Sequence, residues 1–328
     1  MPRTAVIRSI GHYVPDKVLT NAYFESIVDT TDEWIIQRTG MKERHTVAED
    51  QTTSSVASEA AKEALAKAGM TPEELDLIVC ATCTPDMLFP STACLVQRNI
   101  GAKNAGAFDV GAACAGFIHG LCVGDSLVKN GNANKVLVIG ADALTRLTDY
   151  SDRSTCILFG DGGGAVVLEA AEDTDRGVIT TVLRADGTGS AHIDLEVGGT
   201  RYPSHSPSAE GKRPFIYMNG NEVYRFAVKA MGDACNKALE QAGMHSSDVD
   251  LFVPHQANMR IIESAAKRLG LAEDKVFVNI HKYGNTSAGS IPLGLYEAEQ
   301  EGRLKQGMIV MTVGFGAGLV WGANLIRW

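Results

Sequence analysis

No stretch of these 328 residues is both apolar and long enough to cross a bilayer, which takes about 20 consecutive apolar residues. The N-terminus through Ile10 carries Arg3 and Arg8 and lacks the continuous apolar run of a secretory signal. A cytoplasmic protein with no membrane partner is therefore expected. An excess of positive charge is missing as well, since 30 Lys and Arg stand against 39 Asp and Glu for a net charge of −9. Nucleic-acid binding is driven by basic side chains, so it is excluded as the main activity, and any anionic partner has to find a local basic patch. The seven cysteines lack the dense spacing of a secreted disulfide framework, and reduced thiols are expected. Cys80-Ala81-Thr82-Cys83 has the spacing of zinc and redox sites, but no second C-x-x-C or His pair completes four ligands. It continues the apolar run Leu77-Ile78-Val79, reads as the end of a packed strand, and implies no metal.

What is present is material for a large core, with 45% hydrophobic and 21% charged residues. The length suits two domains or one duplicated one. Residues 60–79 align without gaps to residues 234–253, with identities that include Leu65/Leu239, Gly69/Gly243, Asp76/Asp250 and Val79/Val253. Each copy reads as an amphipathic helix closed by glycine, a polar connector and an apolar strand. A weaker echo links residues 135–140 to residues 308–314. Strands alternating with helices predict an α/β fold with parallel sheets covered on both faces. The expected halves are residues 1–172 and 173–328. Residues 187–213, rich in Gly, Ser and Pro, read as a long excursion that either covers a site or is a plain surface loop.

Cys114 follows the strand-like run Ala107-Phe108-Asp109-Val110 and precedes a predicted helix through Lys129. That order places its thiol at a helix N-terminus, where backbone N–H groups favour the thiolate. The other six thiols lack this setting. Two polar residues in the second half complete a constellation: His255 at the end of the strand Leu251-Phe252-Val253, and Asn285 in the turn-rich Tyr283-Gly284-Asn285-Thr286-Ser287. Each alone has a bland structural explanation; together with Cys114 they point to chemistry. The glycine runs at residues 160–164 and 314–318 lack the spacing of a dinucleotide loop and read as tight packing turns.

Several stretches resemble the β-ketoacyl-acyl-carrier-protein synthase III family along essentially the whole chain. They are Thr31-Asp32-Glu33-Trp34-Ile35-Ile36-Gln37-Arg38-Thr39-Gly40, Ala112-Ala113-Cys114-Ala115-Gly116-Phe117, Phe159-Gly160-Asp161-Gly162, Pro254-His255-Gln256-Ala257-Asn258 and Gly284-Asn285-Thr286-Ser287. The resemblance implies a thiolase-like duplicated fold, layered αβαβα. It implies that Cys114 is the nucleophile, that His255 and Asn285 support decarboxylation, and that backbone N–H groups of Cys114 and of the Gly316-Ala317 loop hold an oxyanion. The family often has Gly where this chain has Ala317. No Cys follows Cys235, whereas a degradative thiolase carries a second catalytic Cys near its C-terminal glycine loop. Elongating synthases use two His, and here the second partner is Asn285.

The resemblance also implies binding surfaces. Trp34 and Arg38 share a helix face at i, i+4, with Thr30 and Glu33 at capping-box spacing. With Thr39, Arg153 and Asn258, they are expected to hold CoA. Gln256, Ala257, Asn258, Met259, Arg260 and Lys267, together with Arg225 beside Lys229, are expected to dock an acidic carrier protein. Phe89 matches a position that closes the acyl pocket, often from the other subunit of a homodimer. The expected substrates are acetyl-CoA or another short acyl-CoA and malonyl-acyl-carrier protein, with no cofactor. Rival readings are a related synthase for longer or branched primers in secondary metabolism, a non-catalytic acyl-CoA-binding protein, and a Cys-His hydrolase.

Overall fold

The computed structural model describes residues 3–172 and 174–328. The two copies of the repeat fold alike. Thr53–Ala68 and Gly220–Ala242 are helices, and each ends at a left-handed glycine, Gly69 at φ 67° and Gly243 at φ 65°. Each is followed by a short 3₁₀ turn, Pro72–Glu74 or Ser246–Asp248, in which an acidic side chain closes a capping box. The chain then enters a buried strand, Leu77–Ala81 or Leu251–Pro254.

In chain order the strands are β1 Thr4–Tyr13, β2 Lys17–Thr20, β3 Glu43–Thr46, β4 Leu77–Ala81, β5 Gly106–Val110, β6 Lys135–Ala143, β7 Asp161–Ala171, β8 Gly177–Ala185, β9 Ile193–Asp194, β10 Tyr217–Met218, β11 Leu251–Pro254, β12 Ile309–Gly316 and β13 Val320–Arg327. The first sheet has the order β1-β7-β6-β4-β5 and the second β11-β12-β13-β8. Matching β4 to β11, β6 to β12, β7 to β13 and β1 to β8 superimposes one order on the other. The weaker sequence echo is thus the pair β6 and β12.

The expectation of parallel sheets is corrected. Only β6-β4-β5 and β11-β12 run parallel, while β1, β7, β13 and β8 join antiparallel. In the second sheet the reason is local: β13 follows β12 with almost no chain between them. Such a connection is too short for a parallel crossover, which needs a dozen or more residues.

Two helices, Gly116–Lys129 and Ser290–Gln300, lie between the sheets. Phe117, Ile118, Leu121, Ile291 and Leu295 pack there with Val79, Val138, Val253 and Val310 from both sheets. Full burial of such side chains contributes about 1.5–3 kcal/mol each. Thr53–Ala68 and Thr92–Ile100 cover the outer face of the first sheet, and Gly220–Ala242 and Met259–Leu269 cover that of the second. The result is the expected succession of helix, sheet, helix, sheet and helix. Among the described residues no helix is long and apolar enough to cross a membrane.

Candidate active site

Both middle helices begin with the same device. The 3₁₀ turn Ala113–Ala115 leads into Gly116–Lys129, and the 3₁₀ turn Ser287–Gly289 leads into Ser290–Gln300. Ala113 has φ 43° and Ser287 has φ 50°, the two non-glycine residues with positive φ among those described. A conformation of this kind costs about 1–3 kcal/mol and persists where surrounding structure over-determines it. Here the surroundings press close. A Cβ on Gly140 would lie 2.3 Å from the Ala288 carbonyl oxygen, and one on Gly316 would lie 2.6 Å from the Cys114 nitrogen. Glycine at these two positions is what lets β6 and β12 reach the turns.

Cys114, in the first turn, lines a cavity of about 710 Å³ with His255, Asn285, Ser287, Phe315, Gly316 and Ala317. The expectation of a ready thiolate is corrected, because burial pushes the Cys114 thiol up to about 12. The helix end still offers backbone donors, but the apolar cavity disfavours the charge more strongly than they favour it. Cys83 corrects a second expectation. Cys80 is fully buried within its strand, but Cys83 lines the cavity with its Sγ 3.6 Å from Ser287 Oγ. All seven cysteines are free. Ala317 is absent from the positive-φ residues, so an alanine fits the glycine loop without strain.

His255 is held by its backbone N–H, which donates to Val313 O at 2.7 Å, and by its ring edge against Phe315. Only 1% of it is exposed, and burial lowers its pKa to about 3, so the imidazole is neutral. Its Nδ1 lies 2.6 Å from Ser290 Oγ, which also accepts the Gln256 N–H at 3.4 Å. A Ser290 hydroxyl that donates to Nδ1 leaves the imidazole proton on Nε2, the tautomer in which His255 keeps an N–H to offer. Asn285 is fixed in the same manner. Its Oδ1 accepts the Ser287 N–H at 2.9 Å, which assigns the carboxamide oxygen and leaves the Nδ2 hydrogens with no acceptor among the described residues. A neutral thiol and two uncommitted N–H donors around one apolar space can form a thioester and stabilise an enolate oxygen.

Sequence reasoning missed the carboxylate that joins these parts. Asp142, fully buried, accepts from Thr82 Oγ1, the Cys83 and Thr84 N–H groups and Thr84 Oγ1, and from the Ala288 N–H of the second turn. No local motif marks it, because its partners lie far apart in sequence. Ser290 was within sight, five positions after Asn285, but its partner is on another element.

Trp34 and Arg38 line the cavity, and two guanidinium groups approach the Trp34 ring, Arg38 at 5.8 Å and Arg153 at 5.1 Å from its centroid. The helix Asp32–Thr39 is capped by Thr31, whose side chain accepts the Trp34 N–H at 3.1 Å, and not by Thr30 as the spacing predicted. Thr39 is buried and its hydroxyl donates to Ile35 O, while Asn258 Nδ2 donates to Arg38 O at 2.9 Å. Ile193, Asp194 and Leu195 line the cavity, so one stretch of the 187–213 excursion forms part of its wall.

Of the expected docking residues, Arg260 and Lys267 are exposed, and Arg260 lies on the cavity rim beside Tyr224. Arg225 is exposed but paired with Glu222. Ala257 lines the cavity, and half-buried Met259 packs beneath Gly40. Gln256 is a correction. It is 1% exposed, and its carboxamide holds Pro254 O, Phe277 O and the N–H groups of Asn279 and Ile280, so it has nothing to offer a partner. Phe89 is 82% exposed and does not line the cavity of its own chain. Among the described residues no group of three or more His, Cys, Asp or Glu is placed to hold a metal.

Comparison with known proteins gives this geometry its family. Residues 108–187 match the model of 3-oxoacyl-[acyl-carrier-protein] synthase III, and residues 239–328 match that of its C-terminal region. The chain is 49% identical to a beta-ketoacyl-[acyl-carrier-protein] synthase III of Caldanaerobacter subterraneus subsp. tengcongensis, over 99% of this chain and 98% of the relative. It is 48% identical to that of Symbiobacterium thermophilum, over 99% and 98%. The crystal structure of the synthase III from Aquifex aeolicus superimposes with a TM-score of 0.92 at 46% identity, covering 99% of this chain and all of the other. The fold is thiolase-like, and the protein is a condensing acyltransferase. Within that class, the chain belongs to the β-ketoacyl-acyl-carrier-protein synthase III family.

Proposed function

We infer that this enzyme makes the initiating carbon–carbon bond of fatty acid synthesis, loading a short acyl group, foremost acetyl, from CoA onto Cys114. The acyl-enzyme then condenses with malonyl-acyl-carrier protein to give 3-ketoacyl-acyl-carrier protein, CO2 and CoA. The observation that carries this reading is that a helix-end thiol, a neutral His255 and an oriented Asn285 line one cavity of a synthase III chain.

In the first half-reaction the Cys114 sulfur attacks the acyl-CoA carbonyl. CoA leaves with the thiol proton, and the acyl group stays as an enzyme thioester. The backbone N–H groups of Cys114 and of the Gly316-Ala317 loop receive the oxyanion. Trp34, Arg38 and Arg153 hold the nucleotide of CoA by stacking and charge, with Thr39 and Asn258 shaping that wall. In the second half-reaction, His255 Nε2–H and Asn285 Nδ2–H bind the malonyl thioester oxygen where negative charge develops as CO2 departs. The enolate carbon attacks the acyl-Cys114 carbonyl, the new bond forms, and the Cys114 sulfur leaves and takes up a proton from solvent, which replaces the one lost with CoA. No step calls on a metal or a redox cofactor.

Arg260, with no ion-pair partner among the described residues, and Lys267 dock the carrier protein, and Arg225 extends that face. A homodimer, in the cytoplasm, completes the reading. β5 is an unpaired sheet edge with Phe108 38% exposed, and Leu88 and Phe89 add an apolar surface 72% and 82% exposed. An open strand edge and an apolar patch both favour a second copy, which brings Phe89 of one chain toward the pocket of the other. The two halves, residues 1–172 and 173–328, are read as products of a duplication.

Intact mass spectrometry tests the central step. Mixing with acetyl-CoA should add one acetyl group, on Cys114, and malonyl-carrier protein should discharge it as a 3-ketoacyl product. An adduct on another thiol, or discharge by hydrolysis alone, overturns the reading.

A further inference from the structure

The cavity holds a second thiol that the condensation does not use. β4 and β5 are parallel neighbours, with Ala81 paired to Val110. Cys83 follows Ala81 by two residues, and Cys114 follows Val110 by four, so both leave the same end of adjacent strands. The register ends at that pair, and beyond it both cysteines turn into the same cavity, which they line together. The backbone holds both residues in place. Asp142 Oδ1 accepts the Cys83 N–H at 2.8 Å, and β12 presses on the Cys114 turn through Gly316. Ser287 Oγ lies 3.6 Å from Cys83 Sγ and lines the same cavity as Cys114. The other member of the C-x-x-C pair is no competitor, because Cys80 packs among apolar side chains on the outer face of the sheet.

We propose that Cys83 and Cys114 are an oxidisable pair, closing a reversible disulfide across the floor of the active-site cavity. Burial keeps both thiols protonated near neutral pH, so oxidation runs through the small thiolate fraction and quickens as pH rises. The Cys114 sulfur attacks hydrogen peroxide, takes up one oxygen as a sulfenic acid and releases one water. The Cys83 sulfur then attacks the Cys114 sulfur and expels that oxygen as a second water. Two electrons pass from the thiol pair to the peroxide, and the two thiol protons leave in the waters. Without a neighbouring thiol, a sulfenic acid proceeds irreversibly to the sulfinic form. Cys83 therefore protects the nucleophile. An acyl group on Cys114 occupies the sulfur and blocks the disulfide, so the loaded enzyme is the insensitive form.

The test compares the whole enzyme with Cys83→Thr and Cys83→Ala, each measured against its own untreated activity. After prolonged exposure to excess hydrogen peroxide at pH 9, where the thiolate fraction is larger, the wild type should lose most of its activity, lose the mass of two hydrogens and yield a peptide linking Cys83 to Cys114. A thiol reductant should restore both mass and activity. Both variants should instead gain two oxygens on Cys114 and stay inactive after reduction. A wild type that gains oxygen as the variants do, or links Cys83 to Cys80, overturns the proposal. This inference rests on Cys114 as nucleophile only for its effect on activity, and the linked peptide reads the disulfide independently. Prior acetyl-CoA should prevent the link, and a link that forms despite a confirmed acetyl adduct on Cys114 also overturns it.

Discussion

The turns Ala113–Ala115 and Ser287–Gly289 share a backbone and divide the chemistry. Each is a 3₁₀ turn opened by a residue at positive φ, and each starts a helix of the middle layer. The first carries sulfur at its second position, Cys114. The second has Ala288 there and polar groups on either side: the Ser287 N–H orients Asn285, and Ser290 meets His255. The turns touch, since a Cβ on Gly116 would lie 3.4 Å from that of Ala288. The difference teaches that the fold supplies one strained scaffold twice, and that side chains alone decide which copy makes a covalent bond and which positions donors.

The first turn should break most easily. Gly316→Ala puts a Cβ where Cys114 N stands 2.6 Å away, so the turn has to shift. Acyl loading by rapid quench should slow about 100-fold, the typical cost of misplacing a reacting group by about 1 Å. Unchanged loading would show that β12 does not set the position of Cys114. The same turn also has a pH signature. A thiol at about 12 is ionised to a fraction that grows tenfold per pH unit below that value, so alkylation of Cys114 by iodoacetamide should rise with unit slope from pH 6 to pH 9. A plateau near pH 7, read on the Cys114 peptide, would mean that the helix end outweighs burial.

The second turn should give a smaller and more selective loss. Ser290→Ala removes the hydroxyl 2.6 Å from His255 Nδ1, whose donation there holds the ring proton on Nε2 in the proposed mechanism. Condensation should fall about tenfold, as expected from one buried hydrogen bond of about 1.4 kcal/mol, while acyl loading stays unchanged. Nitrogen chemical shifts of His255 should report mixed tautomers, and Ser290→Thr should recover both. A pure Nε2–H signal in Ser290→Ala would remove Ser290 from this role.

The sequence carried the short-range half of this picture. The Gly69 and Gly243 caps, the strands after them and the fold class were legible because each follows from local periodicity or from a repeated pattern. Strand direction was not, since a buried apolar run such as residues 135–140 reads the same in parallel and antiparallel pairing. Cys114, His255 and Asn285 could be singled out by type and by resemblance. Their electrostatics could not, because the pKa of Cys114 depends on how much of the cavity excludes water. Gln256 looked like a surface residue because its motif neighbours are, and only the return of the chain at Asn279 and Ile280 buries it. Asp142 stayed silent, and Cys83 read as the end of a packed strand, because the partners that give them meaning, Ala288 and Ser287, lie on a turn two hundred or so residues from Cys83 and far from Asp142.

The division of labour is tested most directly by running the two half-reactions separately in His255→Ala and Asn285→Ala. Each variant should load acetyl from acetyl-CoA onto Cys114 within a few-fold of the wild-type rate, while decarboxylation of malonyl-carrier protein falls by about 10²–10³, the usual worth of one oxyanion donor. Wild-type decarboxylation in both variants, or equal losses in the two half-reactions, would contradict it.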